Sequence, residues 1–308
     1  MCAKPWVIMV VGPTAVGKTD LAIRLAKEID AEIISADSRL FYRGMDIGTA
    51  KPTKAQQELM QHYLVDVADP NEVWSLSMFQ SECNKLIEQI HQNGKIPILV
   101  GGTGQYFRAL IEGWEIPPLE PDHAVRDELE KIGNEIGAEA LYKKLEIVDP
   151  EAASKIDPQN LRRTVRALEV ILLTGEKFSA QRRKSEPQYR FWVIGLNRPR
   201  PELYQRIDER IELMFKDGLV EETQKLLQNG IAVDNPNMSA IGYREVVQYI
   251  RGEISLGDAK MLMKRKTREF VRRQANWFKL DDPNIHWYTM ENNVEEKILS
   301  ELRIGINI

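Results

Sequence analysis

The residues with the clearest chemical meaning are the eight from Gly12 to Thr19, "GPTAVGKT". They match the pattern G-x-x-x-x-G-K-[ST], whose glycines let backbone N–H groups surround an anion. The lysine of the pattern adds a positive charge, and the threonine hydroxyl can bind Mg²⁺. An apolar run, "WVIMVV", precedes the loop and an amphipathic segment follows it. This strand-to-helix context predicts a phosphate cradle, a nucleotide-binding motif that most often holds ATP or a similar molecule.

The usual partner residues of a nucleoside triphosphatase do not follow this loop. A later apolar segment, "IPILVGGTG" at residues 96–104, ends in glycines. In a hydrolase of this type, such a strand normally delivers an aspartate that binds Mg²⁺. A guanine-reading Asn-Lys-x-Asp motif is absent as well. The sequence therefore predicts a phosphate cradle without the usual hydrolytic machinery.

A single acidic residue, Asp37, stands where a second strand ends. The segment "AEIISAD" reads as a buried strand, and it places Asp37 at the carboxyl end of that strand. In an open parallel sheet the carboxyl ends of the strands meet at the edge where ligands bind. Asp37 is therefore expected beside the phosphate loop. A helix cap or turn role for Asp37 is an equally frequent alternative on position alone.

The elements that must position these residues are those of an α/β protein. Strands and helices alternate in the first third of the chain, which is typical of a parallel sheet. From Asp122 to about Leu173 the pattern is helical, and no strand is expected before residue 189. We predict a P-loop parallel-sheet core at residues 1–116 and 188–308, with an inserted helical domain at 117–187 and additional C-terminal helices. The predicted strands are residues 6–11, 31–37, 96–104, 189–196 and 285–289.

The composition is that of an ordinary globular protein. The chain has 308 residues, of which 43% are hydrophobic and 29% charged, and its apolar runs are too short for a membrane span. Its two cysteines are too few for a zinc site or a disulfide scaffold, which fits a reducing, cytoplasmic location. Cys83 falls on a helical stripe with Phe79, Ile87 and Ile90, so it is predicted to be a small core residue.

Positive charge is concentrated although the net charge is −4. The segment from 160 to 190 holds eight Lys and Arg against three Glu, and the segment from 260 to 280 holds eight against one. One basic run on its own is most often a solvated helix face. Two such runs on an acidic chain favour a polyanionic partner.

Taken together, these residues resemble the tRNA dimethylallyltransferases, also called tRNA isopentenyltransferases. The resemblance runs nearly end to end. It is carried by these segments: "GPTAVGKT", "SADSRLFYRGMDIGTAKPT", "HYLVD", "GGTGQYFRALIEG", "RRTVRALEV", "RIDERIELMFKDGL", "MSAIGYRE" and "TREFVRRQANWF". The chain departs from the family pattern at Leu40 and Gln105, where Gln and Leu are frequent, and at "ANW", where a Thr-Trp ending is usual.

The resemblance implies transfer of a dimethylallyl group from dimethylallyl diphosphate to the exocyclic amine of the adenine that follows the anticodon, with Mg²⁺ as cofactor. It implies that four residues are catalytic: Lys18, Thr19, Asp37 and Arg210. The donor diphosphate would be bound by Gly12, Pro13, Thr14, Ala15, Val16, Gly17, Lys18 and Thr19, and Thr19 would hold the metal. The tRNA would be contacted by Asp37, Ser38, Arg39, Leu40, Thr103, Arg126, Arg162, Arg163, Thr164, Val165 and Arg166.

The implied reaction needs a proton acceptor, and tRNA binding needs positive charge near the phosphates. The adenine amine must lose a proton as it attacks, and a carboxylate such as Asp37 can take that proton because the amine becomes acidic as the new bond forms. Arg162, Arg163 and Arg166 are spaced so that two of them share a helix face, as phosphate contacts require. Helix capping and surface ion pairs remain the alternative for these arginines. For Lys264, Arg265, Arg268 and Arg272, RNA contacts and such ion pairs are equally open. Phe270 and Trp277 are predicted to be core residues rather than a base-stacking surface.

Two other functions fit parts of the sequence. A P-loop kinase of a small metabolite, with the insertion as its lid, would transfer phosphate from ATP and need no RNA. An RNA-binding module, whose loop holds a structural anion, would bind tRNA without turnover. The fate of a labelled substrate separates these functions from prenyl transfer.

Overall fold

The structure, a computed structural model, describes residues 4–116, 123–180 and 183–307. The chain forms two compact units. The first comprises Met1–Ser75, Phe79–Ile111 and Gln188–Ile308, and the second comprises Leu76–Met78 and Glu112–Pro187. The boundary that the sequence predicts at residue 117, like the helix start that it predicts at Asp122, lies outside the described residues.

The elements follow one another as strand, helix, strand through most of the first unit. The elements before residue 112 are β1 (Trp6–Val11), α1 (Lys18–Glu28), β2 (Ala31–Ser35), α2 (Lys54–Leu59), β3 (His62–Tyr63), α3 (Leu76–Gln92), β4 (Ile96–Val100) and α4 (Gly104–Ile111). The second unit then contains β5 (Trp114–Glu115), α5 (His123–Ile136), α6 (Ala138–Val148), α7 (Pro150–Ala153), α8 (Leu161–Thr174) and β6 (Arg183–Lys184). The chain continues with β7 (Arg190–Asn197), α9 (Arg200–Lys216), α10 (Leu219–Gln228), α11 (Tyr243–Ile250), α12 (Leu256–Gln274), β8 (Ile285–Thr289) and α13 (Val294–Ile306).

The core of the first unit is a sheet whose strands lie in the order β3-β2-β4-β1-β7-β8 within the described residues. Every neighbouring pair in this sheet is parallel. The predicted parallel α/β core is therefore confirmed. Strand β1 lies inside the sheet, and its residues from Val7 to Val11 are fully buried. Since parallel strands end at one edge, the loops after β1, β2 and β4 meet there.

Helix α3 confirms the expectation for the stripe that contains Cys83. Its buried residues are Phe79, Cys83, Ile87 and Ile90, which are the positions that the helical spacing predicts. Burial raises the pKa of the Cys83 thiol far above its usual range, because the thiolate would have to form in an apolar environment. Cys83 is therefore a core residue without nucleophilic character.

The second unit is mainly helical and has its own apolar core. Helices α5, α6 and α8 enclose buried side chains that include Leu129, Leu141, Leu145, Val165 and Leu168. The expectation that no strand precedes residue 189 is wrong, since β6 pairs with β5 in an antiparallel ladder. Strands of two residues show no alternation between apolar and polar positions, so periodicity could not predict them.

Candidate active site

The phosphate loop lies between β1 and α1, as its sequence predicts. Gly12 has φ +142°, and a Cβ atom there would lie 2.6 Å from the carbonyl oxygen of Leu196 in β7. Gly17, the N-cap residue just before α1, has φ +109°, a conformation that L side chains rarely adopt. These two glycines let the loop turn tightly against the neighbouring strand and direct its N–H groups toward a bound anion.

The ammonium group of Lys18 lies inside the loop and contacts its backbone. Its Nζ atom donates to the carbonyl oxygens of Gly12 (3.0 Å) and Pro13 (2.8 Å). Burial lowers the pKa of Lys18 to about 8, while the nearby Asp37 carboxylate raises this pKa and Arg210 lowers it further. Because Asp37 and Arg210 both act on Lys18, the structure brings these three predicted residues into one electrostatic environment.

The low pKa of Lys18 predicts that anion binding depends on pH. A diphosphate binds the protonated amine, so the affinity of the free enzyme should fall as pH rises through about 8 and the amine loses its charge. The bound anion stabilises the ammonium, so binding above pH 8 should take up a proton. Calorimetric titration with inorganic diphosphate between pH 7 and 9.5, in two buffers of different ionisation enthalpy, measures both effects.

Lys18→Met provides the control for this pH dependence, because its affinity should follow only the protonation of the ligand itself. An identical pH dependence in the parent and in Lys18→Met would contradict the role assigned to the lysine charge.

Two arginines, Arg198 just before α9 and Arg206 within it, donate hydrogen bonds to the backbone of the loop. The Nε atom of Arg206 donates to the carbonyl oxygen of Ala15 (2.9 Å), and that of Arg198 donates to the carbonyl oxygen of Val16 (3.0 Å). Arg210 lies one helical turn beyond Arg206. Burial and the positive charge of Arg206 lower the pKa of Arg210, and Asp20 opposes this shift. The loop is therefore surrounded by positive charge that suits a polyanionic ligand.

Asp37 lies just beyond the end of β2, beside the loop. Its Oδ1 atom accepts a hydrogen bond from the backbone N–H of Arg39 (3.1 Å), so the turn role that position alone suggests is present. The side chain also borders a cavity next to Thr14 of the loop. Asp37 therefore supports the turn after β2 and also lies beside the phosphate loop.

The neighbouring predicted residues belong to strand-end loops that are hydrogen-bonded to one another. Thr103 accepts the N–H of Ser38 on its hydroxyl (3.2 Å), which ties the loop after β4 to the loop after β2. The guanidinium of Arg39 donates to the side chain of Asn237 (3.1 Å). Leu40 is partly buried. These contacts hold the 37–40 segment in one orientation at the sheet edge.

A cavity of about 470 Å³ extends from the phosphate loop to the α9 and α12 helices. Its polar lining includes Thr14, Asp37, Ser38, Arg39, Thr103, Arg210, Arg273 and Gln274. Its apolar lining includes Ala15, Ile207, Ile211, Met214, Ile241, Met263, Phe270 and Trp277. The cavity therefore joins a phosphate cradle, a carboxylate and an apolar wall.

The prediction that Phe270 and Trp277 are core residues is wrong. Both line the cavity, and Phe270 is 37% exposed. Helix α12 ends at Gln274, so Trp277 lies in the turn that follows the helix and the spacing of seven residues does not place both side chains on one helix face. The residue that does enter the core is Phe278, which packs edge-on against Phe107 at 5.7 Å between ring centroids.

The basic helix α12 uses much of its charge internally. Lys260 and Lys264 both donate to Glu212 of α9 at 2.7 Å. Arg268 donates to Asp208 of α9 at 2.6 Å. These contacts favour the ion-pairing role for Lys264 and Arg268. Arg265 lies 4.0 Å from Glu269 on the same helix, and Arg272 is exposed.

In the second unit, two of the arginines predicted to contact RNA, Arg126 and Arg166, pair with a buried carboxylate. Arg126 donates to both carboxylate oxygens of Glu169, and Arg166 lies 2.9 Å from the same group. Arg162 and Arg163 are exposed. Thr164 and Val165, which belong to the same predicted segment, are 0% and 1% exposed. The side chains of these two residues therefore pack the helix instead of facing a partner.

Two polar side chains, the half-buried Glu222 and the buried Gln274, position the site although the sequence does not single them out. Glu222 accepts the N–H groups of Ile47 (2.8 Å) and Gly48 (3.1 Å) and the hydroxyl of Tyr243 (2.6 Å). These three hydrogen bonds hold the 46–50 segment, whose residues 48–50 border the cavity. Gln274 links the phosphate loop to the loop after β4. Isolated polar residues far apart in the chain leave no periodic signal, so neither contact could be predicted.

The described residues contain no group of three or more His, Cys, Asp or Glu that could hold a metal ion. Thr19, in the first turn of α1, offers a single hydroxyl oxygen. Such a site suits Mg²⁺, which usually takes one or two protein ligands and completes its shell with substrate phosphates and water. Among the helices of the described segments, none is long and apolar enough to cross a bilayer.

Comparison with known proteins gives consistent relatives. A family model described as IPP transferase matches residues 40–281. A tRNA dimethylallyltransferase of Carboxydothermus hydrogenoformans is 44% identical over 305 residues, covering 97% of this chain and 97% of that protein. The corresponding protein of Thermomicrobium roseum is 45% identical over 282 residues, with 92% and 85% covered.

Solved structures agree with these sequence matches. The tRNA isopentenylpyrophosphate transferase of Bacillus halodurans has a TM-score of 0.71 and 40% identity, covering 99% of this chain and 96% of that chain. A eukaryotic dimethylallyltransferase acting on tRNA has a TM-score of 0.79 and 28% identity, with 98% and 79% covered. The kinase hypothesis finds no support among these relatives. On its sequence and on its fold, this chain belongs to the IPP transferase family, the family of the tRNA dimethylallyltransferases.

Proposed function

We propose that this protein transfers a dimethylallyl group from dimethylallyl diphosphate to the exocyclic N6 amine of the adenine 3′ to the anticodon in tRNA. The observation that carries the proposal is the cavity that joins the phosphate loop, Asp37 and an apolar wall within a member of this family. A C–N bond forms between the amine nitrogen and the donor carbon that carries the diphosphate, the C–O bond of that carbon breaks, diphosphate leaves, and the amine loses one proton.

The phosphate loop would bind the donor through its leaving group. Negative charge accumulates on the diphosphate as the C–O bond breaks, and catalysis requires charges aimed at that group. The loop N–H groups from Ala15 to Thr19, the ammonium of Lys18 and the guanidinium of Arg210 would supply them. The apolar wall formed by Ile207, Ile211 and Met214 suits the branched hydrocarbon of the donor.

Asp37 would act as the general base. Its Oδ1 atom is held by the N–H of Arg39, and we assign to Oδ2 the proton that leaves the adenine amine. The target base must leave its stack to reach this carboxylate, which costs a few kcal/mol. Contacts from Ser38, Arg39, Leu40 and Thr103 to the RNA would offset that cost.

Mg²⁺ would be held by the Thr19 hydroxyl together with oxygen atoms of the diphosphate. When bound, the ion supplies positive charge next to the leaving group. Thr19 and the loop N–H groups would orient the diphosphate so that the donor carbon faces the cavity.

The second unit would bind the anticodon arm through Arg126, Arg162, Arg163 and Arg166. Glu169 is 0% exposed and holds the first and last of these arginines, so it would orient them for phosphate contacts. Because its substrate is tRNA, we propose that the protein is located in the cytoplasm.

The salt dependence of tRNA binding tests these arginines. For alanine at Arg162, Arg163 and Arg166 together, we expect weaker binding. The log–log salt slope should fall by about 0.7 to 0.9 for every phosphate that these arginines neutralise in the parent protein. Because Arg166 also pairs with Glu169, the double variant Arg162→Ala/Arg163→Ala separates RNA binding from disturbance of this ion pair.

Lys143→Ala/Lys144→Ala is the matched control, since it removes two exposed charges from another helix of the same unit. An unchanged slope in the arginine variants, with circular dichroism showing an intact fold, would assign these arginines to surface ion pairing.

One assay decides between the proposed function and its alternatives. The protein is incubated with dimethylallyl diphosphate labelled in its hydrocarbon part, or with γ-labelled ATP, each with and without bulk tRNA. We expect the hydrocarbon label to enter tRNA and require Mg²⁺. Transfer of the ATP label to a small molecule would support a kinase, and tRNA binding without transfer of either label would support a binding module.

A further inference from the structure

The carboxamide of Gln274 joins two loops that approach the site from different strands. Gln274 is the last residue of α12 and is 4% exposed. Its Oε1 atom accepts the backbone N–H of Thr14 in the phosphate loop at 2.9 Å. Its Nε2 atom donates to the backbone carbonyl of Gly102, just after β4, at 3.1 Å.

These two contacts require a carboxamide. One partner is a main-chain donor and the other a main-chain acceptor, and the side chain must satisfy both at once. A glutamate could accept the Thr14 N–H, but its second oxygen would face the carbonyl of Gly102. An unpaired polar group at this depth loses its hydrogen bond to water without replacement, so a side chain with both a donor and an acceptor is strongly favoured here.

Gly102 also has a defined part in this contact. A Cβ atom at Gly102 would lie 2.3 Å from the Nε2 atom of Gln274. The glycine therefore permits the close approach of the carboxamide, and a substitution at Gly102 tests the same contact from the opposite side.

The contact connects the two halves of the proposed site. Thr14 lies in the loop that would hold the leaving diphosphate. Gly102 precedes Thr103, whose hydroxyl accepts the N–H of Ser38, the residue next to Asp37. In the sheet below, Gly101 donates to Val10 at 3.4 Å. Gln274 adds a second connection, between the loops that follow β1 and β4, where these loops border the cavity.

We propose that Gln274 is a positioning residue that sets the separation between the leaving-group cradle and the Asp37 carboxylate. This role rests on the proposed function, because the separation matters when one group receives the proton and the other the leaving group. A reacting geometry that loosens by about 1 Å can cost about 10²-fold in rate, so the effect should be on the chemical step.

The test uses Gln274→Met, which keeps the length of the side chain and removes both hydrogen bonds, and Gln274→Glu, which keeps only the bond to Thr14. We expect the single-turnover rate of transfer to fall by about 10²-fold in Gln274→Met. The dissociation constants for dimethylallyl diphosphate and tRNA should change by less than about threefold. Gln224→Met, at an exposed position of α10, should leave all three values unchanged.

Amide hydrogen exchange provides a readout that does not depend on turnover. The segment 12–17 should exchange faster in Gln274→Met and in Gly102→Ala than in the parent protein, since the Thr14 N–H loses its acceptor. Gln274→Glu should keep the protection of this segment and still lose rate. If Gln274→Met does not fold, Gln274→Glu and Gly102→Ala carry the test.

The outcomes separate the two proposals. Parental rate in Gln274→Met, unchanged exchange in the loop, or loss of binding with an intact chemical step would each overturn the positioning role. A parent protein that transfers no label to tRNA would refute the proposed function, and the exchange measurement would still decide whether Gln274 holds the loop.

Discussion

Asp37→Asn is expected to lower the single-turnover rate of dimethylallyl transfer by about 10²- to 10⁴-fold, the range for loss of a positioned general base. Asparagine has nearly the shape of aspartate and can still accept the N–H of Arg39, so the turn after β2 should persist. It cannot take up the proton of the adenine amine. Rapid-quench measurement at saturating donor and tRNA isolates this step from binding.

The dissociation constants of both substrates should remain within a few-fold of the parental values in Asp37→Asn. Asp234→Asn makes the same chemical change on an exposed loop and should have parental activity. Parental rates in Asp37→Asn would mean that water or another group takes the proton. Loss of tRNA binding would mean that Asp37 mainly recognises the base or supports the fold.

Lys18→Ala is expected to lower transfer by about 10²- to 10³-fold, which is typical when one group that stabilises developing negative charge is removed. The ammonium lies inside the loop, within hydrogen-bond reach of the Gly12 and Pro13 carbonyl oxygens, where a bound diphosphate would meet it. Thr19→Ala should have a similar effect because it removes the hydroxyl. Donor affinity and single-turnover rate are measured together with tRNA affinity, which should stay nearly parental.

Two substitutions control for structural damage at the loop. Thr19→Ser retains the hydroxyl and should retain most of the activity. Lys27→Ala removes an exposed charge from the last turn of the same helix and should behave as the parent. A large loss of tRNA affinity in Lys18→Ala, with donor binding intact, would contradict the assignment of this loop to the diphosphate.

Contiguous motifs made the core and one side of the site predictable. The phosphate loop is a run of eight residues whose conformation depends on its own glycines and on the strand and helix that flank it. The strands at 6–11 and 285–289 and the buried stripe of α3 follow from local periodicity, which requires no knowledge of distant residues. The position of Asp37 followed from a general rule about the edges of parallel sheets.

The opposite wall of the cavity could not be predicted in this way. Phe270 and Trp277 have the spacing of core residues on one continuous helix, but α12 ends at Gln274 and both side chains line the cavity. The basic residues of α12 look available for RNA, yet Lys264 and Arg268 meet acidic residues of α9. Charge and periodicity describe one helix face, whereas its neighbour determines whether that face is covered, paired or open.

The long-range polar contacts depend entirely on the tertiary structure. Gln274 is 260 residues from Thr14 and 172 from Gly102, and Glu222 is 174 residues from Gly48. Each of these side chains is an ordinary polar residue in the sequence. Burial removes water as an alternative partner, so a single hydrogen bond with the correct geometry becomes a specific constraint. Such constraints arise only when the folded chain brings distant residues together, and this is why local sequence patterns identify the phosphate loop but not the residues that hold it in place.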